Sequence, residues 1–199
     1  MASSLPTHPR YSPRYLLRPF AKRDVAALDE AVVRSLPDLA RWLPWAAEGY
    51  TRAVSLQFIR DSIQAWTEAK AYDFTIRGAA EPERHLGNIS VWHTSRPNLV
   101  GEIGYWVRSD EAGKGICTEV AARVLEIAFE ELGLHRVTLR IAVGNRASER
   151  VAEKLGFAFE GTLRHEVRVA GQWLDHTSWG LLDSDWLRER ERYRAQAWA

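Results

Sequence analysis

The hydrophobic residues of the chain change their spacing midway, and this change constrains the fold more than any other feature. In segments between residues 72 and 107, apolar side chains alternate with polar ones, which is the period of a half-buried strand. From residue 118 to 132 they recur at three and four positions, which is the period of a helix. Residues 111–115, which carry two glycines, join the two patterns. A strand, a glycine loop and a helix therefore follow one another directly.

The spacing along the whole chain predicts one strand, two helices, three strands, a helix, a strand, a helix and two strands. The strands are predicted at 15–18, 72–76, 85–92, 100–107, 136–143, 157–169 and 173–182. The helices are predicted after an Asp24 cap, at 51–70, at 118–132 and between an Asn145 cap and Gly156, with a short helix from residue 185. This order predicts a mixed α/β fold built around one sheet.

The length of 199 residues is enough for one domain and too short for two full ones. We expect a single domain over 15–185. Residues 1–14 carry three prolines and are predicted to be a flexible lead-in. Residues 186–199 are predicted to be a C-terminal tail.

The charges nearly cancel, with 27 Lys and Arg against 26 Asp and Glu, which argues against a nucleic-acid-binding protein. One cysteine and six scattered histidines argue against a disulfide framework and against a metal site. No apolar run approaches the ~18 residues of a membrane span, and the N-terminus lacks an apolar signal core, so we expect a cytoplasmic protein without a membrane partner. Five histidines are predicted to be strand-surface residues: His85, His93, His135, His165 and His176.

The nine tryptophans exceed what the core of one domain usually needs. Tryptophan is large and seldom fully buried, so we expect several of them to line a cleft or a contact between subunits. Together with the aromatic C-terminal tail, this excess predicts a homodimer.

The loop Gly113-Lys114-Gly115 opens onto the start of the helix predicted from residue 118. Unhindered backbone N–H groups and the helix dipole favour a phosphate there, and Lys114 adds a charge. The same turn is also typical of a plain strand-to-helix connection. A nucleoside-triphosphate loop is excluded because Gly115 follows the lysine, and the three-glycine dinucleotide fingerprint is absent.

Four ordered words surround this loop: Glu-Ile-Gly-Tyr-Trp-Val (102–107), Ala-Gly-Lys-Gly-Ile-Cys-Thr-Glu (112–119), Asn-Arg-Ala-Ser (145–148) and Lys-Leu-Gly-Phe (154–157). With these words the chain resembles the GNAT family of N-acetyltransferases, and in particular its RimJ/RimL-type branch, which acetylates ribosomal-protein N-termini. The resemblance implies a central, mostly antiparallel sheet with a splayed strand pair and helices on both faces. It also implies acetyl-CoA as cofactor and direct acetyl transfer to a primary amine.

The resemblance assigns the pantetheine arm to main-chain groups of the 105–107 strand end, the pyrophosphate to residues 113–118, and the end of the pantetheine to Asn145. Asn145 is also predicted to cap its helix, and both roles can coexist. Ala112 and Cys117 depart from the family pattern, and we expect pyrophosphate binding to survive both. The cofactor-binding residues implied are Tyr105, Trp106, Val107, Gly113, Lys114, Gly115, Ile116, Cys117, Thr118 and Asn145.

The resemblance also assigns Ser148 as proton donor to the departing thiolate and Glu166 as base. Ser148 is alternatively an ordinary first-turn serine, and Glu166 an exposed partner in a charged strand. Glu102 lies in an apolar strand, where burial would raise its pKa toward that of a base, or it anchors the amine or pairs structurally. Glu119 is predicted to interact with the helix dipole. A nucleophilic Cys117 is disfavoured, because the sequence places no base beside it.

The preferred acceptor is the N-terminal α-amine of a protein or peptide. Its pKa of ~7.8, against ~10.4 for lysine, makes the neutral amine ~3.5 kcal/mol more accessible. We expect its pocket to be walled by residues 41–45, the second helix and the 163–176 hairpin. The alternatives are acetylation of a small amine, such as an amino acid or an aminoglycoside-like compound, and an inactive acyl-CoA-binding protein.

Overall fold

The computed structural model of the protein describes residues 8–198. Part of the predicted lead-in, residues 1–7, lies outside the described residues. The strands are β1 (Arg10–Tyr11), β2 (Tyr15–Pro19), β3 (Ala71–Gly78), β4 (His85–Ser95), β5 (Val100–Val107), β6 (Arg136–Ala142), β7 (Ala158–Val169) and β8 (Gln172–Leu182). The helices are α1 (Val25–Leu39), α2 (Pro44–Ala47), α3 (Arg52–Thr67), α4 (Ile116–Glu126), α5 (Arg146–Lys154) and α6 (Asp183–Ala195). Among these described helices, none is long and apolar enough to cross a bilayer.

The strands form one sheet in the order β1-β2-β3-β4-β5-β6-β8-β7. Every neighbouring pair is antiparallel except β5 and β6, which run parallel. This parallel pairing joins only Val100–Glu102 to Arg136–Thr138, although both strands continue beyond it. The predicted mostly antiparallel sheet with a splayed strand pair is confirmed. The gap between β5 and β6 opens at Glu102.

Two apolar cores lie on opposite faces of the sheet, because successive strand residues point to opposite sides. Ile103 of β5 belongs to the larger core, which α4 fills with a stripe that includes Val124 and Leu125. Trp106 of the same strand belongs to the smaller core, which α1 and α3 cover through residues such as Leu28 and Ile59. The predicted helices on both faces are therefore confirmed.

The helix after the glycine loop differs from the predicted 118–132. It begins at Ile116, because the left-handed Gly115 (φ +81°) ends the loop there. After Glu126 it changes to one π-helical turn, Ile127–Glu131, in which Leu132 N–H donates to Ile127 O at 2.9 Å. Such a local change in hydrogen bonding is invisible to a spacing argument.

Both ends of the described chain pack on the domain. The strand β1 was not predicted, since two residues are too few to show a period, and it pairs with the predicted strand β2. At the other end α6 begins at Asp183, and its Trp186 and Tyr193 are buried in the larger core. Trp186 stacks on Phe129, with ring centroids 5.8 Å apart.

Asp24 does not cap α1 as predicted, because its side chain makes no cap hydrogen bond to that helix. Its carboxylate accepts hydrogen bonds from Arg18 at 2.6 and 2.7 Å, from Arg77 at 2.9 Å and from Ala21 N–H at 2.8 Å. Burial alone would raise the pKa of Asp24, and the hydrogen bonds from Arg18 and Ala21 outweigh it, so that the pKa is lowered. The buried cluster ties the start of α1 to β2 and β3.

Two histidines predicted at the strand surface are buried, and the prediction is wrong for His85 and His176. Both α1 and α4 pack on β4, so His85 is covered on either face of the sheet, and His176 lies in a cleft beside Trp42 and Leu43. His85 Nε2 lies 2.7 Å from Asn88 Oδ1, and burial lowers the pKa of His85 to about 3. His85 is therefore neutral near pH 7.

Candidate active site

Three cavities meet where β5 and β6 separate. The first, the long groove, has about 600 Å³ and runs from the end of β5 along the 112–118 loop to α5. The second, the polar cleft, has about 220 Å³ and lies between β5 and β6. The third, the aromatic pocket, has about 350 Å³ and lies between the sheet and the helices α1 and α3. Leu43 and Tyr105 line all three cavities.

The glycine loop presents backbone donors to the long groove. Gly113 and Gly115 have φ of +80° and +81°, a left-handed conformation that favours glycine. The first backbone bond that closes α4 runs from Glu119 N–H to Gly115 O at 3.2 Å. The N–H groups of residues 116–118 are therefore left without helical partners and can bind an anion. This cradle fits the pyrophosphate predicted for it.

The charged side chains around the glycine loop form ion pairs that the sequence did not predict. The Lys114 ammonium lies 2.8 Å from Glu111 Oε2. Glu119 lies in the first turn of α4, as predicted, but its carboxylate accepts a hydrogen bond from Arg14 Nε at 2.8 Å. Arg150 and Lys154 of α5 line the groove instead. Their spacing of four residues, which places two cations on one face of a short helix, was the sequence signal for them.

Cys117 lies half-buried in the wall of the long groove. Burial raises the pKa of its thiol to about 12. The thiolate is the nucleophilic form of cysteine, so this residue is a poor nucleophile near pH 7.

Asn145, Ser148 and Tyr105 form the boundary between the long groove and the polar cleft. Asn145 Oδ1 accepts a hydrogen bond from Ser148 N–H at 3.3 Å, as expected for the cap of α5. The cap leaves the amide N–H groups of Asn145 available as donors. The buried Tyr105 hydroxyl makes no hydrogen bond within residues 8–198. Burial raises its pKa, and the nearby Ser148 partly offsets the rise.

The two carboxylates predicted as candidate bases share one arginine. Arg140 donates to Glu102 Oε2 from Nε at 3.0 Å and to Glu166 Oε1 at 2.6 Å. Burial raises the pKa of Glu102, and Arg140 acts against that rise. Glu102 and Arg140 line the polar cleft, whereas Glu166 contacts Arg140 from β7.

A bulge in β7 brings Glu166 to this arginine. The pairing of β7 with β8 is interrupted between Leu163 and Val167. Within the bulge, His165 has φ of +51°, and its N–H donates to Asp175 Oδ1 at 2.8 Å. A residue held in this conformation without being glycine marks a locally constrained segment.

His176 of β8 also lines the polar cleft and is 7% exposed. Its Nδ1 is buried and has no hydrogen-bond partner among the residues that the structure describes. Burial lowers the pKa of the imidazole, so the ring is neutral near pH 7. The sequence predicts neither His176 nor Arg140 as a site residue, because each reaches the cleft through strand pairing distant in the chain. The alternation of β6, which places Arg140 on the face of Thr138, was the available signal.

Six of the fourteen residues that line the aromatic pocket carry aromatic rings. Its lining comprises Leu28, Val32, Leu43, Trp45, Tyr50, Val54, Ser55, Phe58, Asn88, Ser90, Trp92, Gly104, Tyr105 and Trp106. The 41–45 segment and the second long helix, α3, were predicted to wall the acceptor site, and both contribute to this pocket. The predicted hairpin contributes His176 to the neighbouring polar cleft.

Comparison with known proteins places the chain in a family. The family model described as an acetyltransferase (GNAT) domain matches residues 14–158. YdaF of Bacillus subtilis, provisionally described as a ribosomal N-acetyltransferase, is 30% identical over 181 residues, covering 87% of this chain and 94% of YdaF. A spermidine N(1)-acetyltransferase of Vibrio cholerae is 32% identical over 111 residues, which cover 49% of this chain and 64% of that enzyme.

A solved structure agrees with these relatives. Mycobacterium smegmatis RimJ in complex with CoA-disulfide superposes with a TM-score of 0.82 at 25% identity, covering 95% of this chain and 93% of that one. The family match agrees with two features of the fold, the backbone N–H groups at the start of α4 and the splayed strands β5 and β6. The chain belongs to the GNAT family of acetyltransferases and is an acetyl-CoA-dependent N-acetyltransferase.

Proposed function

We propose that this enzyme acetylates the N-terminal α-amine of a peptide or protein. The observation that carries the proposal is the charge of the polar cleft, where Arg140 already neutralises Glu102. A polyamine brings several strongly basic ammonium groups, which need unpaired carboxylates. An α-amine brings one weakly basic group, and at pKa ~7.8 it loses its proton readily. The similarity to YdaF, provisionally described as a ribosomal N-acetyltransferase, supports this choice, and the similarity to the spermidine acetyltransferase supports the small-amine alternative.

For the cofactor, we propose that the N–H groups of residues 113–118 hold the pyrophosphate. Arg150 and Lys154 add positive charge along the same groove. The main chain of Tyr105 and Val107 binds the pantetheine arm at the open edge of β5, and the Asn145 amide donates to its end. The Trp106 side chain packs in the smaller core and so holds this end of β5 in place. Bound acetyl-CoA supplies the activated thioester.

For the transfer, we propose that Glu102 accepts a hydrogen bond from the acceptor amine through Oε1, since Arg140 contacts Oε2, and that His176 Nε2 or Nδ1 takes the proton of the amine. The neutral amine nitrogen would then attack the thioester carbonyl carbon; as the C–S bond breaks, Ser148 would give its hydroxyl proton to the leaving sulfur and regain one from the attacking nitrogen. His176 is preferred to the carboxylates as base because both carboxylates are paired with Arg140, whereas the imidazole is neutral and its Nδ1 has no partner among the described residues. Glu166 is a positioning residue that holds Arg140 against Glu102.

We expect free α-amines to be the acceptors in a thiol-release assay. Peptides with a free N-terminus should release CoA, while the same peptides with a blocked N-terminus and an internal lysine should not. The reason is the ~400-fold larger neutral fraction of an α-amine relative to lysine near pH 7. A higher kcat/KM for spermidine than for every free peptide would transfer the function to the small-amine class. CoA binding without any acceptor-dependent release would indicate an inactive binding protein.

We expect Ser148→Ala to lower kcat by up to about 100-fold, with little change in acetyl-CoA affinity. Alanine keeps the backbone N–H that Asn145 caps, so α5 remains intact. Steady-state kinetics and calorimetry measure the two effects. Tyr105→Phe is the companion variant, because the buried Tyr105 hydroxyl is the neighbouring donor. Full activity of Ser148→Ala with loss in Tyr105→Phe would assign the donor role to Tyr105.

The catalytic domain is proposed to span residues 15–185, with the C-terminal segment packed on it through Trp186 and Tyr193. The homodimer and the cytoplasmic location remain predictions. The edge strand β7 and its neighbour β8 carry apolar side chains that are more than a third exposed, among them Phe159 and Trp173. This surface supports the homodimer, because a second copy would cover it.

A further inference from the structure

The aromatic pocket is continuous with the cleft that the proposed function gives to the acceptor amine. Trp92 and Gly104 line both cavities. They lie on the same face of the sheet as Glu102, since Trp92 pairs with Glu102 across β4 and β5. An acceptor whose amine lies beside Glu102 therefore has its next substituent at the mouth of the aromatic pocket.

The residues that line this pocket offer no charge to a ligand. Apart from the indole rings, its polar side chains are Tyr50, Ser55, Asn88, Ser90 and Tyr105, and all of these except Tyr105 have a protein partner among the described residues. Ser55 bonds to Tyr50, Asn88 Oδ1 lies 2.7 Å from His85, and Ser90 donates to Asp73 at 2.5 Å. An occupant with a charged end would lose its hydration and gain at most a hydrogen bond to the Tyr105 hydroxyl in exchange.

The size and the rings of the pocket indicate the occupant. A dry cavity of ~150 Å³ already accepts benzene, and this pocket has about 350 Å³. Trp45 packs against Tyr50 and Trp106, with ring centroids 6.1 and 6.3 Å apart, which leaves aromatic faces and edges around the space. Such walls bind aromatic and branched aliphatic groups.

We infer that the acceptor carries a bulky apolar side chain, aromatic or branched aliphatic, on the carbon that bears its amine. This side chain occupies the aromatic pocket while the amine enters the polar cleft. The inference rests on the proposed function for the position of the amine. It adds the class of N-terminal residue that the enzyme selects.

The test compares acceptors that differ at one residue. Peptides of one sequence begin with Ser, Ala, Leu or Phe, and phenylalanine amide and spermidine are assayed beside them by thiol release. We expect kcat/KM for the Phe and Leu peptides to exceed that for the Ser peptide roughly 10- to 200-fold, the range for filling an apolar pocket.

A filled pocket should remove this preference. Val54 lines the pocket from α3 and is 36% exposed, so Val54→Trp can place a ring over the mouth without disturbing the core. We expect the Phe-to-Ser ratio of kcat/KM to fall about tenfold or more. Ile63→Trp is the matched control, because Ile63 is 37% exposed on the same helix and lies outside the pocket lining. Circular dichroism checks that both variants fold.

The outcomes separate the inference from the proposed function. Acetylation of phenylalanine amide but of no peptide would overturn the peptide function and support the pocket assignment. Peptides acetylated with Ser or Ala preferred over Phe would overturn the pocket assignment alone. An unchanged ratio in Val54→Trp, or an equal fall in Ile63→Trp, would also overturn it. Preference for spermidine, or acetylation of no acceptor, would overturn both.

Discussion

A Gly115→Val variant should lose acetyl-CoA affinity by about 100-fold or more while remaining folded. Gly115 has φ of +81°, and a Cβ added there meets only Arg14 at 3.6 Å, so the valine side chain projects into open space at the cradle. It would separate the pyrophosphate from the N–H groups of α4. Two charge-assisted hydrogen bonds at roughly 1.5 kcal/mol each account for that loss. Isothermal titration calorimetry measures it.

Backbone strain is the other effect of this substitution, and Gly171→Val controls for it. Gly171 has φ of +82° in the turn between β7 and β8, and a Cβ there meets nothing within 4 Å. Both variants therefore carry a similar conformational cost, of roughly 1–2 kcal/mol. Only Gly115→Val should lose the cofactor. Unchanged affinity in a folded Gly115→Val protein would contradict the pyrophosphate assignment.

A His176→Gln variant should lower kcat by roughly 100-fold or more, the usual contribution of a general base. Burial and Arg140 lower the pKa of His176, while the Leu174 carbonyl, Glu166 and Asp175 act in the opposite direction. Because its pKa in the folded protein is below the ordinary 6.5, the base form persists at mildly acidic pH. The acidic limb of kcat in the native enzyme should therefore lie below pH 6.5 and be absent in His176→Gln. A pH profile of kcat measures this.

His93→Gln makes the same chemical change at another site and serves as control. His93 is half-buried on β4, its pKa is also lowered by burial, and it lies outside the lining of the polar cleft. The acidic limb of the pH profile of kcat should remain in both His93→Gln and Glu102→Gln. The Glu102→Gln variant should instead raise KM for the acceptor. Loss of the limb in Glu102→Gln alone would assign the base role to Glu102.

The parts of this protein that the sequence determined are local. The strand β5, the loop with Gly113 and Gly115, and the start of α4 are contiguous, so periodicity and glycine positions predict their order and their donors. The Asn145 cap of α5 is equally local, since it joins residues three apart. Each of these features depends on backbone geometry over a few residues, so it can be predicted from the sequence alone.

Only the tertiary structure decided which side chains meet in the polar cleft. Arg140 joins Glu102, 38 residues away, to Glu166, 26 residues away, through the β5–β6 gap and the bulge of β7. His176 enters the cleft from β8, where it pairs with Ala142. These contacts depend on the register between strands that are distant in the chain, and the local spacing of residues does not predict that register. The same sequence spacing is compatible with an exposed histidine or an unpaired glutamate, and the register between distant strands makes His176 buried and Glu102 ion-paired.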